Sequence, residues 1–221
     1  MISNLKDISR NKSEVEVKKL KRSDSDVRGR SDESEKAYDT ALFARFQSGD
    51  DQAFLELFDR HANRIGRYCY RMIGDRERAQ DVAQDVWEKI IKLRGESEYE
   101  LRNPLGLLYT IARNLSLNHI RDQRDHISLQ SLGDDEHPPI ETQEFSRLEE
   151  MVIIALQKLP LAQREILILH SYSGYTFEEI GEMIGEKHGG VRTKAWRARQ
   201  QLKRIIAALI EFEENQGDKS L

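Results

Sequence analysis

The chain has 221 residues, with 35 Lys plus Arg against 39 Asp plus Glu and a formal charge of −4. Cys69 is the only cysteine, which excludes an internal disulfide and a cysteine metal cluster. No apolar run is long enough for a membrane span and the first residues lack the core of a signal peptide, so a cytoplasmic protein is expected.

Residues 1–37 are rich in Lys, Arg, Ser, Asp and Glu and lack periodic apolar positions, so they are expected to form a disordered tail. Order is expected from the Asp39-Thr40 cap, with a short helix to Gly49 and a longer one capped by Asp50 or Asp51. Phe54, Leu57, Phe58, Ile65, Tyr68 and Met72 form its apolar stripe, with Cys69 beside it as a small buried hydrophobe. After Gly74-Asp75, a third helix runs from Arg76 to about Leu93. Ala79, Val82, Ala83, Val86, Ile90 and Leu93 form its inner face. Asp81, Gln84, Asp85 and Glu88 lie on other faces and Trp87 stands at the margin.

A loop from Arg94 to Asn103 contains Gly95 and Tyr99, and Pro104 stands where the next helix begins. Leu105, Leu108, Ile111, Ala112 and Leu115 form that helix's stripe. Tyr109, Arg113, Asn114, Asn118 and Arg121 are placed away from its centre. Residues 122–145 include Gly133-Asp-Asp-Glu-His-Pro-Pro139, an acidic, proline-interrupted run that reads as a linker. A helix with Leu148, Val152, Ala155, Leu156 and Leu159 then stops at Pro160, and Pro160 opens another carrying Ile166, Leu167 and Leu169.

Residues 176–204 read as helix, tight turn, helix. Thr176 and Glu179 have the spacing of a capping box, and Gly185 suits the left-handed residue that ends a helix. The turn is expected over Glu186 to Gly190. The second helix has a thin seam of Val191, Ala195, Ala198 and Leu202, and no acid occurs between Lys187 and Ile210. A thin seam with a basic remainder fits a recognition helix in the major groove of DNA, with Arg192, Thr193 and Lys194 near base edges and Arg197 and Arg199 on phosphate. An ordinary solvated helix would mix signs. An acidic tail, residues 211–221, is expected to close the chain.

Glu178-Glu-Ile-Gly-Glu-Met-Ile-Gly185, Val191 and Arg197-Ala-Arg199 resemble the promoter-reading end of bacterial RNA polymerase sigma factors of the extracytoplasmic-function (ECF) group. Ala79-Gln-Asp-Val-Ala-Gln-Asp-Val-Trp87 resembles the sigma helix that docks on the polymerase clamp. The run Pro104–Arg121 resembles the element that opens the −10 promoter element, where the family commonly has Trp at the position of Leu107 and often Asp at that of Asn118.

The resemblance implies an all-α protein of two small helical domains joined by a flexible acidic linker, the second ending in a helix-turn-helix. The expected division is a tail over 1–37, a polymerase-docking and −10 domain over 38–121, a linker over 122–145, a −35 domain over 146–210 and a tail over 211–221. It assigns polymerase contact to Asp81, Gln84, Asp85 and Trp87, and −10 contact to Tyr109, Arg113, Asn114, Asn118 and Arg121. Contact with −35 DNA falls to Arg192, Thr193, Lys194, Arg197 and Arg199. Core RNA polymerase and promoter DNA are the implied partners, with an anti-sigma protein as a further one. No nucleophile–base pair, phosphate-cradling loop or metal-ligand spacing is present, so neither an enzyme nor a cofactor is expected. A dimeric helix-turn-helix regulator with an amino-terminal sensor bundle explains residues 176–204 equally well, but not the acidic face at Asp81. Charge segregation further suggests that the two domains restrain each other, with the basic helix resting on acidic surface.

Overall fold

The computed structural model describes residues 33–95, 103–125 and 146–217, and within them every regular element is a helix. Helix α1 spans 33–47, followed by α2 (Asp51–Ile73), α3 (Arg76–Lys92) and α4 (Pro104–Asp125). The second set is α5 (Arg147–Gln157), α6 (Leu161–Ser171), α7 (Phe177–Ile184) and α8 (His188–Gly217).

In the first set α2 is the central rod, packed on both α3 and α4. Leu57, Ile65, Cys69 and Met72 from α2 are fully buried with Ala83, Val86 and Ile90 from α3 and Leu108 and Ala112 from α4. The 3.6-residue spacing of these side chains is what makes the helices amphipathic and brings their seams together. Asp50 caps α2 by accepting from the backbone N–H groups of Gln52 and Ala53. Gly74 ends α2 at φ 83°, a left-handed conformation that disfavours any side chain.

Helix α1 differs from the expectation. It is already helical at residue 33, six residues ahead of Asp39. Asp39 is buried inside it, not placed at its start, and accepts from Arg60 Nε at 2.9 Å and pairs with His61 Nε2 at 2.8 Å. Burial alone would raise the Asp39 carboxyl. The hydrogen bond and charge of His61, with Arg60, outweigh that and hold it below its ordinary range. These contacts anchor α1 to α2, and Phe43, Phe46 and Phe54 complete the seal.

In the second set α6 packs on α5, α7 and α8 and also on α2. That position explains its unusual burial: Arg164, Glu165, Ile166, Leu167, Ile168 and Leu169 are all buried in succession. An amphipathic helix with a single covered face would leave part of this run exposed. The two helical sets therefore touch directly, through α2, α5 and α6.

Helix ends depart from expectation in three further places. Helix α4 continues to Asp125, four residues into the stretch expected as linker. Helix α8 begins at His188, so Gly189 and Gly190 lie in its first turn, and it runs to Gly217 through the segment expected as an acidic tail. The carbonyl of Lys187 accepts from the N–H groups of Gly190 and Val191, which starts the helix earlier than the glycines suggest. The remainder of the amino-terminal tail, the loop over 96–102 with Tyr99, the linker over 126–145 and residues 218–221 lie outside the described residues.

Candidate nucleic-acid and partner interfaces

The helix-turn-helix is built as its residue types require. Thr176 Oγ1 accepts from the Glu179 N–H at 3.2 Å, and Glu179 Oε2 accepts from the Thr176 N–H at 2.8 Å. Each such cap stabilises a helix start by about 1 kcal/mol. Gly185 sits at φ 72° and its N–H returns to the Gly181 carbonyl. The Glu186 N–H reaches the same carbonyl at 2.8 Å. A Cβ on Gly181 would lie 2.5 Å from the Glu186 carbonyl oxygen. Gly181 is thus required by the backbone of the turn itself.

Val191, Ala195 and Ala198 are completely buried against α6 and α7. Opposite this seam, Arg192, Thr193, Arg197 and Arg199 are exposed. Arg197 and Arg199 form no ion pair with any described residue, so their charge is available to an anion. Lys194 is half-buried and donates to Glu186, and the Arg192 guanidinium lies 5.6 Å from the Phe177 ring centroid. Those two cations are engaged within the motif. Thr193 Oγ1 donates to the Gly189 carbonyl at 2.9 Å. The sequence reading passed over Trp196, which is 61% exposed in the middle of this outward stripe. A large apolar ring left in water between cations was the available signal.

On α3, Asp81 and Asp85 are exposed and Gln84 and Glu88 are partly so, at the spacing of one helical stripe. Partial burial and the nearby charges of Glu88 and Asp81 push the Asp85 carboxyl up. Like charges held this close are relieved by a basic partner. Ile91 continues the stripe and is 49% exposed, an apolar position the sequence reading did not single out. Trp87 requires a correction. It is only 4% exposed, with its ring 4.9 Å from Phe58 and 6.1 Å from Phe54 in edge-on contacts. Its size drives it into the α2–α3 seam, where it supports the stripe from beneath and presents no surface to a partner.

On α4 the candidate residues divide. Asn114, Asn118 and Arg121 are exposed. Tyr109 is 1% exposed and is the second correction: its ring is wedged between Tyr68 and Tyr175, each centroid 5.4 Å away. Arg113 is paired with Glu165 of α6, with only 19% and 7% of the two side chains exposed. The structure therefore leaves Arg192, Thr193, Arg197 and Arg199 exposed with Lys194 half-buried beside them, and splits the −10 candidates between open and covered surface.

Two segments match known families: residues 57–126 match Sigma-70 region 2, and residues 150–202 match Sigma-70, region 4. The chain is 32% identical over 167 residues to RNA polymerase sigma factor CarQ of Myxococcus xanthus, covering 75% of this chain and 95% of that one. It is 33% identical over 175 residues to ECF RNA polymerase sigma factor SigE of Mycolicibacterium smegmatis, covering 74% and 67%. The chain belongs to the ECF group of RNA polymerase sigma factors. The fold of this sigma factor is similar to that of CnrH, solved with the cytosolic domain of CnrY, at a TM-score of 0.59, 22% identity and coverage of 77% and 98%. It is also similar to RpoE of Bartonella quintana, solved with the anti-sigma factor NepR, at a TM-score of 0.55, 22% identity and coverage of 70% and 96%. Among the described residues of the sigma factor, no helix is long and apolar enough to cross a membrane, and no group of three or more His, Cys, Asp or Glu is arranged to hold a metal ion.

Proposed function

We propose that this sigma factor binds core RNA polymerase through the α3 stripe and reads promoter DNA with α4 and α8, so that transcription starts at selected sites. The observation that carries this reading is one chain holding both an outward acidic stripe and an outward cationic helix, in the order of sigma regions 2 and 4. Asp81, Gln84 and Asp85 are the docking residues, bordered by Ile91. Asn114, Asn118 and Arg121, with Arg113 when it is free, hold the −10 strand through polar contacts and phosphate neutralisation. Thr193, Trp196 and Arg197 face the −35 groove, and Arg199 lies nearer its phosphates. Arg192 and Lys194 buttress the turn and reach DNA only if they leave Phe177 and Glu186.

The functional division is a docking and −10 unit over 38–121 and a −35 unit over 146–210. The polymerase performs all bond making, so the factor itself is not a catalyst. It works where the polymerase works, in the cytoplasm, and an anti-sigma protein is a partner suited to restrain it. A dimeric regulator would leave the α3 stripe without a role. Run-off transcription tests the reading. Core polymerase with the purified protein is expected to give discrete transcripts from a subset of genomic fragments. Equal, diffuse initiation with and without the protein would reject it.

A further inference from the structure

The outward face of α8 is centred on Thr193, Trp196, Arg197 and Gln200, spaced at i, i+3, i+4 and i+7, and all of them are exposed. Val191, Ala195 and Ala198 on the opposite side are completely buried, which fixes the direction in which this face points. It is uncovered among the described residues, although charge segregation suggested that acidic surface rests on it. Two neighbouring cations are engaged inside the motif: Lys194 donates to Glu186, and the Arg192 guanidinium lies over the Phe177 ring. Thr193 is also committed in part. Its Oγ1 donates to the Gly189 carbonyl at 2.9 Å, so the hydroxyl has no proton to give a base edge and the methyl beside it remains as an apolar contact.

Trp196 adds the larger apolar surface. It is 61% exposed and stands one helical turn from Thr193, a separation of about 5–6 Å between Cβ atoms. Around this apolar pair stand Arg197, Arg199, Lys203 and Arg204, all exposed. That surround selects the occupant. An apolar protein surface laid over Trp196 would strip water from several cations and return no counter-charge, a penalty that outweighs the burial of one ring. A DNA duplex offers phosphates to the same cations, and the apolar group displayed in its major groove is the C5 methyl of thymine. The spacing agrees, because the Thr193–Trp196 separation spans one to two base steps of about 3.4 Å.

We propose that Thr193 and Trp196 are specificity-determining residues of α8 that read the C5 methyl groups of two neighbouring thymines in the −35 duplex. The inference rests on the proposed role of α8 in −35 recognition and names what its outward face reads. Each thymine methyl that leaves water against the Trp196 ring or the Thr193 methyl favours the thymine-bearing site by about fourfold, and two together by about fifteenfold. The surrounding cations attract every duplex alike. They supply affinity and register, and the apolar pair supplies sequence preference.

The test reads sequence preference with the full chain, alone and with core polymerase. Bound duplexes are selected from a randomised pool by wild type, Trp196→Ala and Thr193→Ser. Thr193→Ser keeps the hydroxyl that bonds the Gly189 carbonyl and removes only the methyl. Both side chains are exposed, so helical content by circular dichroism should stay native. Wild type is expected to enrich two neighbouring thymines, and each variant to lose the preference at one of them. In the selected duplex each thymine is then replaced by deoxyuridine, which pairs identically and lacks only the methyl. Wild-type binding should fall about fourfold per replacement at one fixed salt. Trp196→Ala should bind the thymine and uracil forms equally at one position, and Thr193→Ser at the other. Equal wild-type affinity for the two forms, or a selected site without neighbouring thymines, would overturn the methyl reading. Discrimination retained at both positions by a variant would overturn the role of the residue it alters. Uniform weakening of every duplex by Trp196→Ala would overturn base reading by the ring. Absence of promoter-directed transcripts from the wild-type protein would instead overturn the functional reading, and selection by the full chain alone would still decide what α8 reads.

Discussion

Helices α4 and α8 are alike in sequence: each has an apolar seam and carries arginine and amide side chains on its remaining faces. The fold treats them differently. Helix α8 is buried along a seam of small residues, Val191, Ala195 and Ala198, and its opposite face stays in water. Helix α4 packs on α2 and α3, and α6 then adds a further cover at Arg113. The difference teaches that a cation on a helix is a binding group only if no other part of the chain supplies its anion. Among the described residues Arg197 meets that condition, and Arg113 does not while Glu165 is beside it.

The largest expected effect lies on the open surface that both helices leave untouched. Asp81→Arg inverts an exposed charge on the docking stripe and should abolish capture of core polymerase in a pull-down while helical content stays native. Retained capture would remove the stripe from the interface.

Gly181→Val addresses why α8 can be presented at all. Its Cβ meets the Glu186 carbonyl, so the turn must distort, at a cost of about 1–3 kcal/mol in stability, with −35 duplex binding lost. Thermal unfolding and a duplex gel-shift read the two effects. A variant as stable as wild type would show that the turn yields without strain.

Arg197→Ala and Arg113→Ala set the two helices against each other directly. Arg197→Ala should weaken −35 duplex binding by roughly 1–3 kcal/mol with no change in stability if it meets a base edge, and by less, equally for all sequences, if it meets phosphate. Arg113→Ala should impair initiation and also expand the free protein, because it removes the ion pair with Glu165 that joins α4 to α6. Identical behaviour of the two variants in scattering would erase the distinction between an open and a covered helix.

A smaller effect separates the amino-terminal anchor from both DNA-facing helices. The Asp39 carboxyl is held below its ordinary value of 3.8, so its stabilising contribution is complete above that pH and is lost as pH falls through the lowered folded value. Wild type should therefore lose amide protection in α1 on acidification below about pH 4, and Asp39→Asn should flatten that dependence. Equal acid sensitivity in the two proteins would place the titration elsewhere. The smallest effect is chemical. Burial pushes the Cys69 thiol up to about 12, so it should resist alkylation in the native state and react only on unfolding. Rapid native labelling would show that the α2–α4 core opens without unfolding.

The helix-turn-helix was legible because its signals are local. A capping box spans four residues, a left-handed glycine ends a helix by its own backbone freedom, and a seam of Val191, Ala195 and Ala198 at helical spacing declares its buried side. The same local logic places the acids of α3 on one stripe and Cys69 inside. The residues that were misplaced, Trp87 and Tyr109, are amphipathic aromatics at the edge of a stripe. Their side depends on whether a neighbouring helix offers a pocket, and periodicity does not contain that information. Asp39 likewise has the residue type of a cap, and only the arrival of Arg60 and His61 from α2 makes burial of its charge tolerable. The continuous burial of α6 and the pairing of Arg113 with Glu165 join residues 52 positions apart in the chain. Sequence alone determined which residues could face water. Tertiary structure decided which of them do, because a second surface must desolvate each group and supply its counter-charge, and that surface comes from a distant part of the chain.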